Sequence, residues 1–211
     1  MDELQVTALL PGEKGRVQVH FDNGMKVLLY KGEICRFSLR EGAVMPESAY
    51  DTLLRETVGA RAKKRALHLL EQMDRTESQL SEKLRQNGYP EVCIEEAVSY
   101  VRAYHYVDDT RYAENYIRLH QQKKSRQRLK TDLYTRGIGK EVIERAIETT
   151  FSSDDKEKIR LLLEKRRFAY DRSDWKEQQK TCQFLMRRGF KSSDILEVMK
   201  AGDVKDIPFY G

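Results

Sequence analysis

Between Arg118 and Arg136 the chain carries seven basic side chains (Arg118, Lys123, Lys124, Arg126, Arg128, Lys130 and Arg136) against a single acid, Asp132. Cations at this density suit phosphates or carboxylates. Against a nucleic acid they would hold the backbone without reading its sequence, and the hold would weaken steeply with salt. Leu129 and Leu133 lie one helical turn apart and are assigned to packing, which leaves Lys123, Lys124, Arg126, Arg128 and Lys130 expected to be free for an anion. Three smaller clusters recur at Lys63-Lys64-Arg65, Lys165-Arg166-Arg167 and Arg187-Arg188. A solvated helix face is the plainer reading of the last two. Lys165, Arg166 and Arg167 are nevertheless carried as candidate partner contacts beside the central run.

Other chemistry is mostly absent. The four histidines, His20, His68, His105 and His120, are scattered, with no His or Cys pair at the separation of metal ligands. No glycine-rich turn ends in Lys-Ser or Lys-Thr to cradle a phosphate. Asp108-Asp109 is a pair of carboxylates, but it precedes a helical pattern and no nucleophile or His is tied to it, so capping is the expected role. These residues point away from an enzyme and imply neither metal nor cofactor.

The cations need elements to hold them. An acidic cap at Asp108 or Asp109 opens a helix near Thr110 whose Tyr112, Ala113, Tyr116, Ile117 and His120 share one face. Ser125 caps a second helix, Gly137 ends it, and a third runs from Lys140 to about Thr150. The same grammar recurs around Gly88, Gly137 and Gly189, at intervals of 49 and 52 residues. Four residues before each glycine stands a leucine (Leu84, Leu133, Leu185), and one after stands Tyr89, Ile138 or Phe190. Six after stands Ile94, Ile143 or Ile195, and nine after Ala97, Ala146 or Val198. One apolar register kept through three copies indicates tandem repeats. Thr76 and Gln79 supply a capping box in the first copy.

Ahead of the repeats, Val17, Val19 and Phe21 alternate with polar residues, Asp22-Asn23-Gly24 makes a turn, and Met25, Val27 and Leu29 return. Ile34 to Leu39 is expected as a third short strand, and a helix from about Glu47 to Thr57. The fold class is therefore mainly α: tandem three-helix repeats in an elongated curved array, with a small N-terminal β-hairpin module. The expected divisions are 1–57 for that module, 58–106, 107–152 and 153–211 for the repeats, the last with a C-terminal tail, Ile207 to Gly211, that docks or frays.

Composition agrees with such an array. Of 211 residues, 39% are hydrophobic and 35% charged, and the net charge of +5 is unevenly placed. Residues 1–57 carry seven basic and nine acidic side chains, 58–150 eighteen and fourteen, and 151–211 fourteen and eleven. The excess of cations in the repeats favours polyanions or an acidic protein face. Three widely separated cysteines suit a reducing compartment. No apolar run approaches the ~20 residues that cross a bilayer, and the acidic start Met1-Asp2-Glu3 is unlike a secretory signal. A cytoplasmic monomer is expected.

The stretch from His105 to Ile147 resembles the RecX family of bacterial recombination regulators. The resemblance is carried by Asp108-Asp109 followed by Tyr112-Ala113, the basic run around Ser125, and Leu133-x-x-x-Gly137-Ile138 leading into Val142, Ile143 and Ala146. It extends over about residues 60 to 200. A glycine commonly precedes the aspartate pair in that family, whereas Tyr106-Val107 stand there in this chain. The resemblance implies binding to the RecA recombinase, as its filament on single-stranded DNA, and modulation of it by inhibiting filament growth and strand exchange. On this reading the basic run meets either an acidic RecA surface or exposed single- or double-stranded DNA. The residues alone also allow a sequence-independent nucleic-acid-binding helical protein or a helical protein-interaction scaffold. Sequence-specific reading by the helix after each glycine is disfavoured. Glu91, Glu95 and Glu96, then Glu141, Glu144 and Glu148, then Asp194 and Glu197 would face phosphates in a groove.

Overall fold

The alternation of Val17, Val19 and Phe21 builds the hairpin it implies. In the computed structural model, which describes residues 3–12, 15–152 and 154–201, β2 (Arg16–Phe21) pairs antiparallel with β3 (Lys26–Tyr30), and Val19 faces Val27 across the ladder. Gly24 turns the chain at φ +82°, and the Asn23 side chain accepts from the Met25 amide at 3.0 Å. The sheet is larger than a hairpin. A long first strand, β1 (Glu3–Pro11), lies between β2 and the short β4 (Val44–Pro46), giving the order β3-β2-β1-β4. A bulge between Val6 and Ala8 interrupts the period of two in β1 and hides the strand from a pattern reading.

The third strand expected over Ile34 to Leu39 is instead part of a short helix, α1 (Lys31–Arg36), and the turn that closes it. The Glu33 carboxylate accepts the Tyr30 amide at 2.8 Å and is itself held by Arg61 at 2.7 Å, so the first turn is pinned. Ile34 and Phe37, three apart, pack on the core as one helical face. The helix begun at Glu47 does not stop near Thr57. α2 (Glu47–Thr52) passes through a wider π-type segment, Leu53–Gly59, directly into α3 (Ala60–Gln72).

Two compact units divide the chain, residues 1–108 and 109–211. In the first, the sheet and the first three-helix repeat share one core. Val19, Val27 and Leu29 are buried with Ala62, Ala66, Leu80, Leu84, Ile94 and Ala97. That repeat consists of α3, α4 (Glu77–Gln86) and α5 (Glu91–Ala103). Its capping box forms as expected, the Thr76 hydroxyl accepting from the Gln79 amide at 3.1 Å and the Gln79 side chain from the Thr76 amide at 3.3 Å.

The second unit holds α6 (Asp109–His120), α7 (Arg126–Thr135) and α8 (Lys140–Thr150) around Ala113, Ile117, Leu129, Leu133, Ala146 and Ile147. It also holds α9 (Asp155–Lys165), α10 (Trp175–Arg187) and α11 (Ser192–Ala201) around Ile159, Leu185, Phe190, Ile195 and Val198. No helix among the described residues is long and apolar enough to cross a membrane. The tail expected to dock or fray, Ile207 to Gly211, lies outside the described residues.

Each repeat closes its second helix identically. Gly88, Gly137 and Gly189 have φ of +82°, +81° and +85°. Each donates its amide three residues back, to Arg85, Tyr134 and Met186, at 2.9, 2.9 and 2.8 Å. The following residue donates five back: Tyr89 to Leu84, Ile138 to Leu133 and Phe190 to Leu185, at 3.3, 3.3 and 3.4 Å. This is a Schellman closure, in which a left-handed residue lets two amides satisfy carbonyls at the helix end and brings two apolar residues together. The repeated Leu and Tyr/Ile/Phe positions are those two residues.

Candidate functional site

The basic run occupies the end of α6, the turn through Lys123–Ser125 and the whole of α7. Its one acid organises it. Asp132 is only 8% exposed and points inward, where its Oδ2 accepts from the Tyr116 hydroxyl at 3.0 Å and from Lys124 Nζ at 2.7 Å. Arg128 Nε reaches the other carboxylate oxygen at 3.0 Å, and Arg136 donates to the Asp132 carbonyl at 2.7 Å. Lys124 and Arg136 also sit over the Tyr116 ring, 5.1 and 4.4 Å from its centroid. Burial alone would raise the Asp132 pKa. Hydrogen bonds from Lys124 and Tyr116 and the charges of Lys124 and Arg128 outweigh it and hold the carboxyl below its ordinary range. Burial likewise pulls on Lys124, and the bonds to Asp132 and Tyr116 reverse the effect, leaving its ammonium raised.

The cations expected to be free therefore separate into two groups. Lys124 and Arg128 are bound to Asp132, and Lys130 crosses to Glu144 on α8 at 2.5 and 2.7 Å. This corrects the sequence reading: Asp132, taken out of water, needs charged partners and Lys124 and Arg128 supply them, while Lys130 meets the partly exposed Glu144 on the neighbouring helix. Arg118 pairs with Glu114 one turn back at 2.9 Å, and Arg136 is committed to Asp132 and Tyr116. Lys123 is exposed, and Arg126 is exposed with its guanidinium 5.8 Å from the Phe151 centroid. No carboxylate lies within ion-pairing distance of either among the described residues. Lys165, Arg166 and Arg167 follow from the end of α9, all exposed. Arg167 holds φ +52°, the left-handed position that closes α9.

The His120 ring packs against Tyr116 at a tilt of 53°, with ring centroids 4.3 Å apart. Burial lowers its pKa, and the charges of Lys124, Arg136 and Lys123 push the same way against a weaker pull from Asp132.

Sequence reasoning did not show what fixes the turn. The Ser125 hydroxyl accepts from the Arg128 amide at 3.1 Å, as a helix cap should, and also donates to the Gly189 carbonyl at 2.7 Å. The Ser125 amide donates to the Arg188 carbonyl at 3.0 Å. Lys158, 1% exposed, extends from α9 to bond Asp155 at 2.9 Å and the Lys124 carbonyl at 3.3 Å, over the Phe151 ring at 4.0 Å. The third repeat thus holds the basic turn of the second. A side chain at Gly189 would meet the Ser125 hydroxyl at 2.7 Å and Arg128 Cβ at 2.6 Å, so the approach needs glycine for space as well as for φ. Ser125 lies 64 residues from Gly189, and no local pattern links them.

Four of the eight acids on the helices after each glycine have partners on neighbouring helices. Glu91 pairs with Arg85 at 2.7 Å, Glu96 with Lys63 at 3.7 Å, Glu144 with Lys130 and Glu197 with Lys156 at 2.6 Å.

Comparison with known families supplies the decisive observation. Residues 62–100 match the first three-helix domain of RecX, 108–147 the second and 154–199 the third. The chain belongs to the RecX family. Regulatory protein RecX of Caldanaerobacter subterraneus subsp. tengcongensis is 32% identical over 159 residues, covering 74% of this chain and 78% of that one. Regulatory protein RecX of Clostridium acetobutylicum is 28% identical over 194 residues, covering 89% and 90%. A crystal structure of regulatory protein RecX matches with a TM-score of 0.58 at 25% identity over 93% of this chain and 98% of that chain. The crystal structure of RecX from Lactobacillus salivarius gives 0.56 at 26% identity over 70% and 98%. The three RecX domains coincide with the three glycine-closed repeats. The chain is thus similar along most of its length to proteins named as regulators.

Proposed function

We propose that this RecX-family chain regulates the RecA recombinase, binding its filament on single-stranded DNA and inhibiting recombination and DNA-dependent ATP hydrolysis. It acts in the cytoplasm as a monomer and is not an enzyme. The observation that carries this reading is the presence of all three RecX three-helix domains, in order, with the basic turn of the second held by the third. Lys123 and Arg126 are its contact residues, with Lys165, Arg166 and Arg167 beside them. Lys124 and Arg128 serve the contact by shaping the turn through Asp132.

The test is RecA's ATP hydrolysis and strand exchange on single-stranded DNA, with and without this protein, beside its own DNA binding at two salt concentrations. Inhibition that a Lys123→Glu/Arg126→Glu variant loses supports the reading. Inhibition that survives the charge reversal removes the basic turn from it. Salt-sensitive DNA binding with no effect on RecA favours a sequence-independent nucleic-acid-binding protein instead.

A further inference from the structure

The three repeats differ where their second and third helices meet. Three residues before the closing glycine stands Arg85, Tyr134 or Met186, and three after stands Glu91, Lys140 or Ser192. Seven after stands Glu95, Glu144 or Leu196. In the first repeat Arg85 crosses from α4 to Glu91 on α5 at 2.7 Å and also pairs with Glu82 at 2.8 Å. In the third, the apolar side chains of Met186 and Leu196 are exposed. In the second, a cavity of about 290 Å³ opens between α7 and α8.

That cavity joins two chemistries. Buried Ile143 is its apolar base, and Tyr134, 70% exposed, forms one wall. Lys130 stands one turn before Tyr134 on α7, and Lys140 one turn before Ile143 and Glu144 on α8. Lys130 spans the two helices to Glu144 at 2.5 and 2.7 Å. Among the described residues Lys140 holds no carboxylate. At Glu144 the Lys130 hydrogen bond outweighs desolvation, and the charges of Lys130, Arg126 and Lys140 add to it, holding the carboxyl below its ordinary range. Three cations thus act on one acid beside an apolar wall.

We infer that this groove docks a protein segment presenting an apolar side chain with a carboxylate one helical turn away. The apolar side chain enters between Tyr134 and Ile143, and the carboxylate meets Lys140, one turn from Ile143. Charge and shape choose the occupant. Glu144 on the wall repels the repeated phosphates of a nucleic acid, whereas a single carboxylate beside an apolar group takes Lys140 and leaves the Lys130–Glu144 pair intact. The volume lies just under the roughly 300–1,000 Å³ of pockets that bury a free ligand. With Tyr134 so exposed, the cavity suits one side chain of a larger surface, as when an amphipathic helix is laid into a groove. The groove goes beyond the reading of the chain as a RecA regulator, because Tyr134 and Lys140 lie outside the basic turn.

The experiment is titration of the full chain into a fluorescein-labelled, alanine-based helical peptide of about 16 residues, read by anisotropy. The peptide carries leucines one turn apart and a glutamate one turn beyond. Alanine in place of the leucines should weaken binding about tenfold or more, and lysine in place of the glutamate about threefold or more. In the chain, Tyr134→Arg/Lys140→Glu installs the first repeat's ion-pair bridge in the second and should abolish binding, while Tyr134→Phe should leave it unchanged. If circular dichroism shows the double variant to be misfolded, Tyr134→Ala decides, with a loss of at least about fivefold. A parent that ignores the leucine–glutamate peptide overturns the groove, as does a folded double variant that binds it as the parent does. A lysine-bearing peptide bound as tightly as the original overturns it too. A parent that ignores the peptide but binds a thymidine oligonucleotide, and loses it in the double variant, makes nucleic acid the occupant and overturns the assignment. RecA's ATP hydrolysis, run in parallel, separates this claim from the regulatory one. Groove-dependent peptide binding by a parent without effect on RecA sinks only the regulatory reading, and RecA inhibition by a parent that takes no peptide sinks only the groove.

Discussion

Replacing Gly189 by alanine should loosen the second unit far more than a glycine substitution usually does. Three effects combine. The residue holds φ +85°, where an L side chain costs about 1–2 kcal/mol. The new methyl carbon would lie 2.6 Å from Arg128 Cβ, 2.7 Å from the Ser125 hydroxyl and 3.3 Å from Arg128 Cα, so the first turn of α7 must withdraw. Withdrawal loses the two hydrogen bonds from Ser125 to the Arg188 and Gly189 carbonyls, at about 1 kcal/mol each. After the smaller conformational entropy of an unfolded alanine is allowed for, about 3 kcal/mol remains. Gly24 is the matched control. It has φ +82° but nothing within 4 Å of an added methyl, so Gly24→Ala should cost about 1 kcal/mol. Urea denaturation gives the totals, and hydrogen exchange of a peptide spanning residues 121–129 locates the loss. Faster exchange there in Gly189→Ala, absent in Gly24→Ala, is expected. Equal destabilisation by both variants, with exchange over 121–129 unchanged, would refute the claim that the third repeat holds the basic turn.

Three further outcomes follow from the same geometry. Asp132→Asn should cost about 2 kcal/mol by chemical denaturation, since it strips the shared partner from Lys124, Arg128 and Tyr116, discounted because those two cations are 26% and 47% exposed. The lowered Asp132 pKa stabilises the fold above 3.8, and this contribution fades as pH drops through the folded value, so the variant should show a flatter acid limb in stability against pH. His120 has a lowered folded pKa, so its contribution is whole above 6.5 and is lost as pH falls through the folded value. Melting at pH 7.5 and 5.5 should differ less in His120→Gln than in the parent. Arg167→Gly should raise thermal stability by about 1 kcal/mol, because Arg167 sits at φ +52°, a position that Gly88, Gly137 and Gly189 fill elsewhere; an unchanged or lowered melting temperature would contradict this.

The repeats were legible because their signal is local. Leu84, Leu133 and Leu185 with Tyr89, Ile138 and Phe190 are the two ends of one closure motif, and its chemistry lies within six residues. The hairpin over Val17 to Leu29 was legible for the same reason. β1 was not, because a bulge at Val6/Ala8 breaks its alternation, and α1 was mistaken for a strand because the Glu33 contacts that hold it reach Arg61, 28 residues away. The site suffered most. Whether a cation is available depends on which acid the fold brings to it. Lys130 meets Glu144 from 14 residues away, and Asp132 turns inward where composition only counts it as one acid among seven bases. Charge density misjudged Lys124, Arg128 and Lys130, each of which the fold pairs with a carboxylate.

The central claim is regulation of RecA through the basic turn, and RecA's ATP hydrolysis on single-stranded DNA measures it most directly. The parent chain should suppress hydrolysis in a dose-dependent manner, and Lys123→Glu/Arg126→Glu, confirmed as folded, should lose most of that suppression. Hydrolysis unaffected by the parent at concentrations that saturate its DNA binding would contradict the account.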